Sequence, residues 1–200
     1  MARLPFPENT ITGHYGTTSD YRKAHGMQPH SGTDFAPAGS RNGKTVIPAV
    51  GSGTIKIVRW SSVLGWNIVQ TVWDVKKKKA AYVGYSHLKC NTHGINCKGG
   101  HDASEALSLK VGDKVKEGDP IGLMGTTGSA SSGVHLHLTI SWQEKGIYGV
   151  TTDKFDFIEW IKTQAPAPKQ TNKKTEAVVL PKVTEAKVIY ACPHCKKELK

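Results

Sequence analysis

Nothing in the chain is long, apolar and uninterrupted. No run approaches the ~18 apolar residues of a membrane-spanning helix, so insertion into a bilayer is not expected. The opening MARLPFPENTITGHYG has one arginine but no apolar core segment, and a Sec-type signal peptide is not expected either. Cysteine is scarce. Four in 200 residues are too few for a disulfide scaffold. The 21 glycines follow no three-residue period, which excludes collagen, and no internal repeat is present. Acidic residues are also in short supply, 16 against 27 basic ones, giving a net charge of +11. Such a balance favours an anionic partner. The excess is uneven: residues 161–200 contain nine Lys and three Glu.

What is present suffices for a packed core, since 38% of residues are hydrophobic. The segments VIPAVGSGTIKIVRW (46–60), WNIVQTVW (66–73) and AAYVGYSHL (80–88) alternate apolar and polar residues, as half-buried antiparallel strands do. Lys76–Lys79 read as an exposed hairpin end between the last two. VGDKVKEGDPIGLMG (111–125) has two turn signals around short strands, and GVHLHLTIS (133–141) is the clearest strand. FDFIEWIK (155–162) reads as a short helix with Phe155, Ile158 and Trp160 or Ile161 inward. Composition then changes. We expect a folded domain over 1–164, a Pro/Lys-rich linker over 165–187 and a CxxC-containing tail over 188–200.

Chemistry concentrates in two short patterns. In His135-Leu136-His137 the strand period puts both imidazoles on one wet face, with Val134, Leu136, Leu138 and Ile140 turned to the core. That suits one metal ligand beside an acid–base group, and equally two surface histidines. In His30-Ser31-Gly32-Thr33-Asp34 the two donors are ~13 Å apart in a flat strand, so one ion is reached by both only if the chain bends at Gly32. A turn aspartate near a surface histidine is the plainer reading of that pattern alone.

In order, HSGTDFAPAGS, glycine-punctuated strands, YSHL and LKVGDKVKEGDPIGLMGTTGSASSGVHLHLTI resemble the lysostaphin-type zinc peptidases that cut bacterial peptidoglycan. The likeness spans about residues 10–141. It implies an all-β fold, mainly antiparallel with little helix, followed by a flexible C-terminal tail. It implies one catalytic Zn²⁺ on His30, Asp34 and His137, with a fourth position left for water. His87 of YSHL and His135 then match the catalytic pair, which acts on the water, the oxyanion and the leaving amine. The implied substrate is peptidoglycan. With no signal peptide expected, a phage endolysin is implied, made in the host cytoplasm and released to the wall. Anionic wall polymers are then the expected partner of the basic tail, rather than nucleic acid.

Other features read more plainly. Gly122, Gly125, Gly128 and Gly133 either let a loop run close to a substrate or make tight turns. His14, His25, His93 and His101 read as surface residues, and the segment holding Cys90 and Cys97 as a polar loop decoration. Cys192 and Cys195 are a possible second metal site. Two rivals remain: a non-catalytic wall-binding or activator relative, and a carrier domain suggested by VGDKVKEGDPIG. A carrier needs a modifiable lysine in a tight hairpin, and none is found.

Overall fold

A computed structural model describes residues 2–99, 102–148 and 153–164. The expected linker (165–187), the tail with Cys192 and Cys195, and His101 lie outside the described residues. Strand β1 (Ile11–Gly13) is followed by helix α1 (Asp20–Ala24), β2 (Thr33–Phe35) and β3 (Val46–Pro48). Three long strands form the centre: β4 (Gly53–Ser61), β5 (Gly65–Asp74) and β6 (Lys79–Leu88). Helix α2 (Ala103–Ala106), β7 (Lys114–Val115), β8 (Pro120–Leu123), β9 (Leu136–Ser141), β10 (Lys154–Phe155) and helix α3 (Phe157–Thr163) complete the order. The fold is all-β. Eight strands form one antiparallel sheet in the order β1-β2-β9-β6-β5-β4-β7, with β10 also on β9, while β3 and β8 pair separately.

The central strands differ from the half-buried pattern expected of them. All but two residues of β5 are buried, because both faces of the sheet are covered. On one face Tyr85 donates to Gln70 (2.7 Å) and accepts from the Val50 amide (3.0 Å), beneath the chain that carries β3. That burial pushes the Tyr85 hydroxyl pKa upward and keeps it protonated. On the other face the 3-10 turn Glu144–Ile147 lays Ile147 over Gly84, where a Cβ would sit 2.6 Å from Ile147. Leu136, Leu138 and Ile140 do enter the core, as their alternation requires. The histidine face is not wet, however. His137, Thr139 and Ser141 are all buried, because the Glu144–Ile147 turn packs on β9.

Helix α3 starts two residues later than its sequence suggests. Asp156 caps it by accepting from the Ile158 and Glu159 amides. Phe155 falls in β10, and Phe157, Ile158 and Trp160 are the residues buried. Lys76–Lys78 turn the β5–β6 hairpin, and its end is tied back by Asp74, which accepts from the Lys77 amide and the Trp160 indole. Two matching Asp turns flank β7: Asp113 accepts from the Lys110 amide (2.8 Å) and Asp119 from the Lys116 amide (2.7 Å).

Candidate metal centre and its cleft

Register makes the first half of the site. In the β2–β9 pairing Asp34 stands directly opposite His137, on the face that also carries Ser86. His30 enters just before β2, pinned by its amide to the Thr17 carbonyl (2.8 Å). His137 Nδ1 lies 2.8 Å from Asp34 Oδ1, and His30 Nε2 lies 3.2 Å from Asp34 Oδ2. The two imidazole nitrogens are 3.1 Å apart, and the three donor atoms all lie within 4.8 Å of one another. Gly32 is needed for room more than for a bend, since a Cβ there would meet the Leu138 carbonyl at 2.5 Å and the His137 ring at 2.8 Å.

The proton positions follow from the partners. A carbonyl only accepts, so His30 Nδ1 donates to the His14 carbonyl (3.0 Å) and leaves its Nε2 lone pair facing Asp34. His137 Nε2 meets Thr139 Oγ1 at 3.1 Å; donating there leaves Nδ1 as a second lone pair. Burial holds His137 below the ordinary imidazole range and so neutral. Burial also pushes the Asp34 carboxyl upward, but its two imidazole neighbours, His137 and His30, outweigh that and hold it far down, so it stands as a carboxylate. Two imidazole lone pairs and a carboxylate thus converge on one point. Without a cation that crowding is repulsive, and His/His/Asp is an ordinary zinc donor set. The residues fit a metal.

A different device places the other two histidines. Strand alternation would turn His87 away from Ser86 and from this face. The β5–β6 register shifts between Trp66 and Ile68, and His87 there adopts φ 62°, a left-handed conformation rare for a residue with a side chain. The bulge brings its ring to 4.8 Å from that of His135 and 5.8 Å from that of His137. His87 Nδ1 donates to the Thr127 carbonyl (2.7 Å), and His135 Nδ1 to the Gly133 carbonyl (2.7 Å). Both therefore keep Nε2 as a free acceptor. That of His135 is 3.7 Å from Asp34 Oδ1. Burial and the neighbouring His135 push His87 down to about 3, so it is a neutral base. All five histidine and aspartate positions singled out in the sequence meet here.

Residues 28–148 match peptidase family M23. The chain belongs to that family. Over 120 residues it is 33% identical to an uncharacterized metalloprotease of Buchnera aphidicola, covering 60% of this chain but 24% of that protein. The chain thus spans about a quarter of that relative's length. Its fold resembles a zinc-containing peptidase of Vibrio cholerae, with a TM-score of 0.51 and 23% identity over 84% of this chain and 40% of that one. The catalytic domain of lysostaphin from Staphylococcus simulans is also similar, with a TM-score of 0.51, 24% identity and coverage of 75% and 89%. At these identities the solved structures establish the fold.

A cleft of about 680 Å³ opens beside His30, walled by Tyr15, Arg22, Met27, Arg59, Val63, Tyr148 and Lys154 among others. None of these wall residues carries a motif, and the sequence gives no sign of them. The supporting carbonyls of His14, Thr127 and Gly133 have no signal either, because a backbone oxygen is present at every residue. His14 thus matters through its main chain, while its side chain is exposed as expected. Cys90 and Cys97 correct the reading of a surface decoration. Both are free and buried in the hydrophobic core cluster.

Proposed function

We propose that this chain is a zinc-dependent endopeptidase that hydrolyses peptide bonds in bacterial peptidoglycan, acting as a phage endolysin. The observation that carries this reading is the convergence of His30, Asp34 and His137 beside two histidines whose Nε2 atoms are free acceptors. His30 Nε2, Asp34 and His137 Nδ1 would hold the ion. Bound there, zinc supplies Lewis acidity, polarising a carbonyl oxygen and bringing a water's pKa to about 7.

The remaining steps belong to the chain. One Nε2 of the His87/His135 pair takes the proton lost by the attacking water. That proton passes to the amine nitrogen as the C–N bond breaks. The imidazolium donates to the developing oxyanion meanwhile. Thr127 and Gly133 fix both rings through their Nδ1 protons, so little reorganisation is needed during reaction. The expected basic linker and tail over 165–187 and 188–200 would hold the enzyme on anionic wall polymers.

The deciding experiment incubates the purified full chain with sacculi of several wall chemotypes. Released fragments are identified by mass spectrometry, with and without chelator and with zinc restored. New amine and carboxyl ends that appear only with metal are the expected result. Intact sacculi in every metal-loaded sample would overturn the wall-peptidase reading.

A further inference from the structure

The cleft beside His30 has an unbalanced charge. Among its wall residues Arg22, Arg59 and Lys154 are cationic, and none is acidic. None of the three forms an ion pair within 4 Å among the described residues. Each is nevertheless positioned. Arg59 lies with its guanidinium carbon 3.4 Å above the Tyr148 ring. Tyr148 is itself fixed by donating to Asn67 Oδ1, and burial keeps its hydroxyl protonated by pushing it up to about 12. Arg22 Nη1 donates to the Gln28 carbonyl (2.9 Å), and Tyr15 donates to the Lys154 carbonyl (3.0 Å). Burial lowers the Lys154 ammonium pKa, and no carboxylate offsets it. Glu144 acts on Tyr148 from outside the cleft wall.

Arg22 and Lys154 are half-buried and Arg59 is exposed; three cations with no carboxylate among them make a positive field that favours a bound anion. The guanidinium fork suits a carboxylate in particular. Exposed Met27 and Val63 add apolar surface in the same wall, enough to bind a peptide's aliphatic parts but not to identify it.

We propose that the His30 side of the cleft selects a wall peptide bearing a free carboxylate, with Arg59 as its main ion partner and Arg22 and Lys154 completing the field. This rests on the peptidoglycan-peptidase reading above and narrows it. An uncharged polyglycine bridge is the disfavoured substrate, and a stem peptide with a free side-chain or terminal carboxylate is the favoured one.

The test uses the zinc-loaded full chain and pairs of soluble wall peptides that differ only in one carboxylate being free or converted to carboxamide. An uncharged glycine pentapeptide serves as a third substrate. We expect kcat/KM to favour a free carboxylate about tenfold at low salt, the scale of one charge-assisted hydrogen bond, and less at high salt. Arg59→Gln should bring that ratio close to one, and Arg59→Lys should retain part of it. Lys154→Met should lower it by a smaller factor. Thermal unfolding of each variant checks that the ratio is read on folded protein, and a ratio within one variant is insensitive to the amount of active enzyme. Equal rates on every matched pair, or a preference unchanged in Arg59→Gln and Lys154→Met, overturn the proposal while leaving the peptidase reading intact. Cleavage of none of the peptides and none of the sacculi overturns the reading beneath it.

Discussion

The two halves of the site are built by opposite means. His137 and Asp34 owe their meeting to regular pairing, since neighbouring antiparallel strands put directly opposed side chains on one face. His87 and His135 owe theirs to departures from regularity. One sits at a bulge with φ 62°, and the other precedes β9, its backbone paired with Gly125 through an isolated bridge. Regular pairing gives rigid, close donors, which a metal site requires. Irregular backbone re-aims a side chain without altering the sheet, which suits groups that must face a substrate instead of each other.

The sharpest way to break the comparison is to remove the metal donors, the register-held Asp34 and His137 and the adjoining His30. His30→Ala, Asp34→Ala and His137→Ala should each lose bound zinc and wall hydrolysis together, because two remaining donors no longer make a closed set. Metal analysis of the purified variants beside a lysis assay checks this. A variant that loses all activity with its zinc retained would move that residue into the other half.

Replacing the pair held by irregular backbone should act differently. His87→Ala and His135→Ala should keep near-stoichiometric zinc and lose about 10²–10⁴-fold in kcat, the range for a missing acid–base group. The loss should fall on kcat more than KM, since the stabilisation removed is made in the transition state. His135 is the stricter case, with Nε2 only 3.7 Å from Asp34 Oδ1. Zinc depletion in His135→Ala would make it a ligand and erase the division between the halves.

The same contrast explains what could be read from the sequence. Strand periodicity exposed β9 and its core residues Leu136, Leu138 and Ile140, because alternation is a local property of the chain. Pairing between β2 and β9 joins residues about a hundred positions apart, so no window of sequence contains it. The order of HxxxD, YSHL and HxH had to stand in for it through family resemblance. Periodicity fails outright at His87, where the bulge reverses the face it assigns. Burial of the histidine face was missed because the Glu144–Ile147 turn that covers it has no apolar period of its own. Arg59, Tyr148 and Lys154 are spread over three elements and reach one cleft only through the fold.

A subtler way to sharpen the comparison leaves all the donors in place. Thr139 Oγ1 meets His137 Nε2 at 3.1 Å, on the ring nitrogen that does not face Asp34. Thr139→Val keeps shape and removes the hydroxyl. Zinc affinity should fall by roughly 10–100-fold, as for other outer contacts that orient a ligand. Competition with a chromophoric chelator measures it. The register-held half should be the only one affected, so saturating zinc should restore most of the activity.

The smallest effect concerns neither half but the frame behind them, and it depends on pH. Asp74 ends β5 and is buried. Burial pushes its carboxyl pKa upward, but bonds from the Lys77 amide, the Trp160 indole (2.6 Å) and the Gln164 amide (3.1 Å) outweigh it, and the net shift is downward. A carboxyl lowered on folding contributes stability that is complete above its unfolded pKa of about 3.9 and is lost as pH falls toward its folded value. Asp74→Asn keeps one oxygen acceptor but loses the charge, and should cost about 1–2 kcal/mol at pH 7. The gap in unfolding free energy between wild type and variant should stay constant from neutrality down to about pH 5, then narrow below about pH 4. Urea titrations at a series of pH values read that gap directly. A gap that widens on acidification would mean that Asp74 is protonated more readily in the fold than in the unfolded chain, and its negative charge would then contribute nothing to holding α3 on the β5–β6 hairpin.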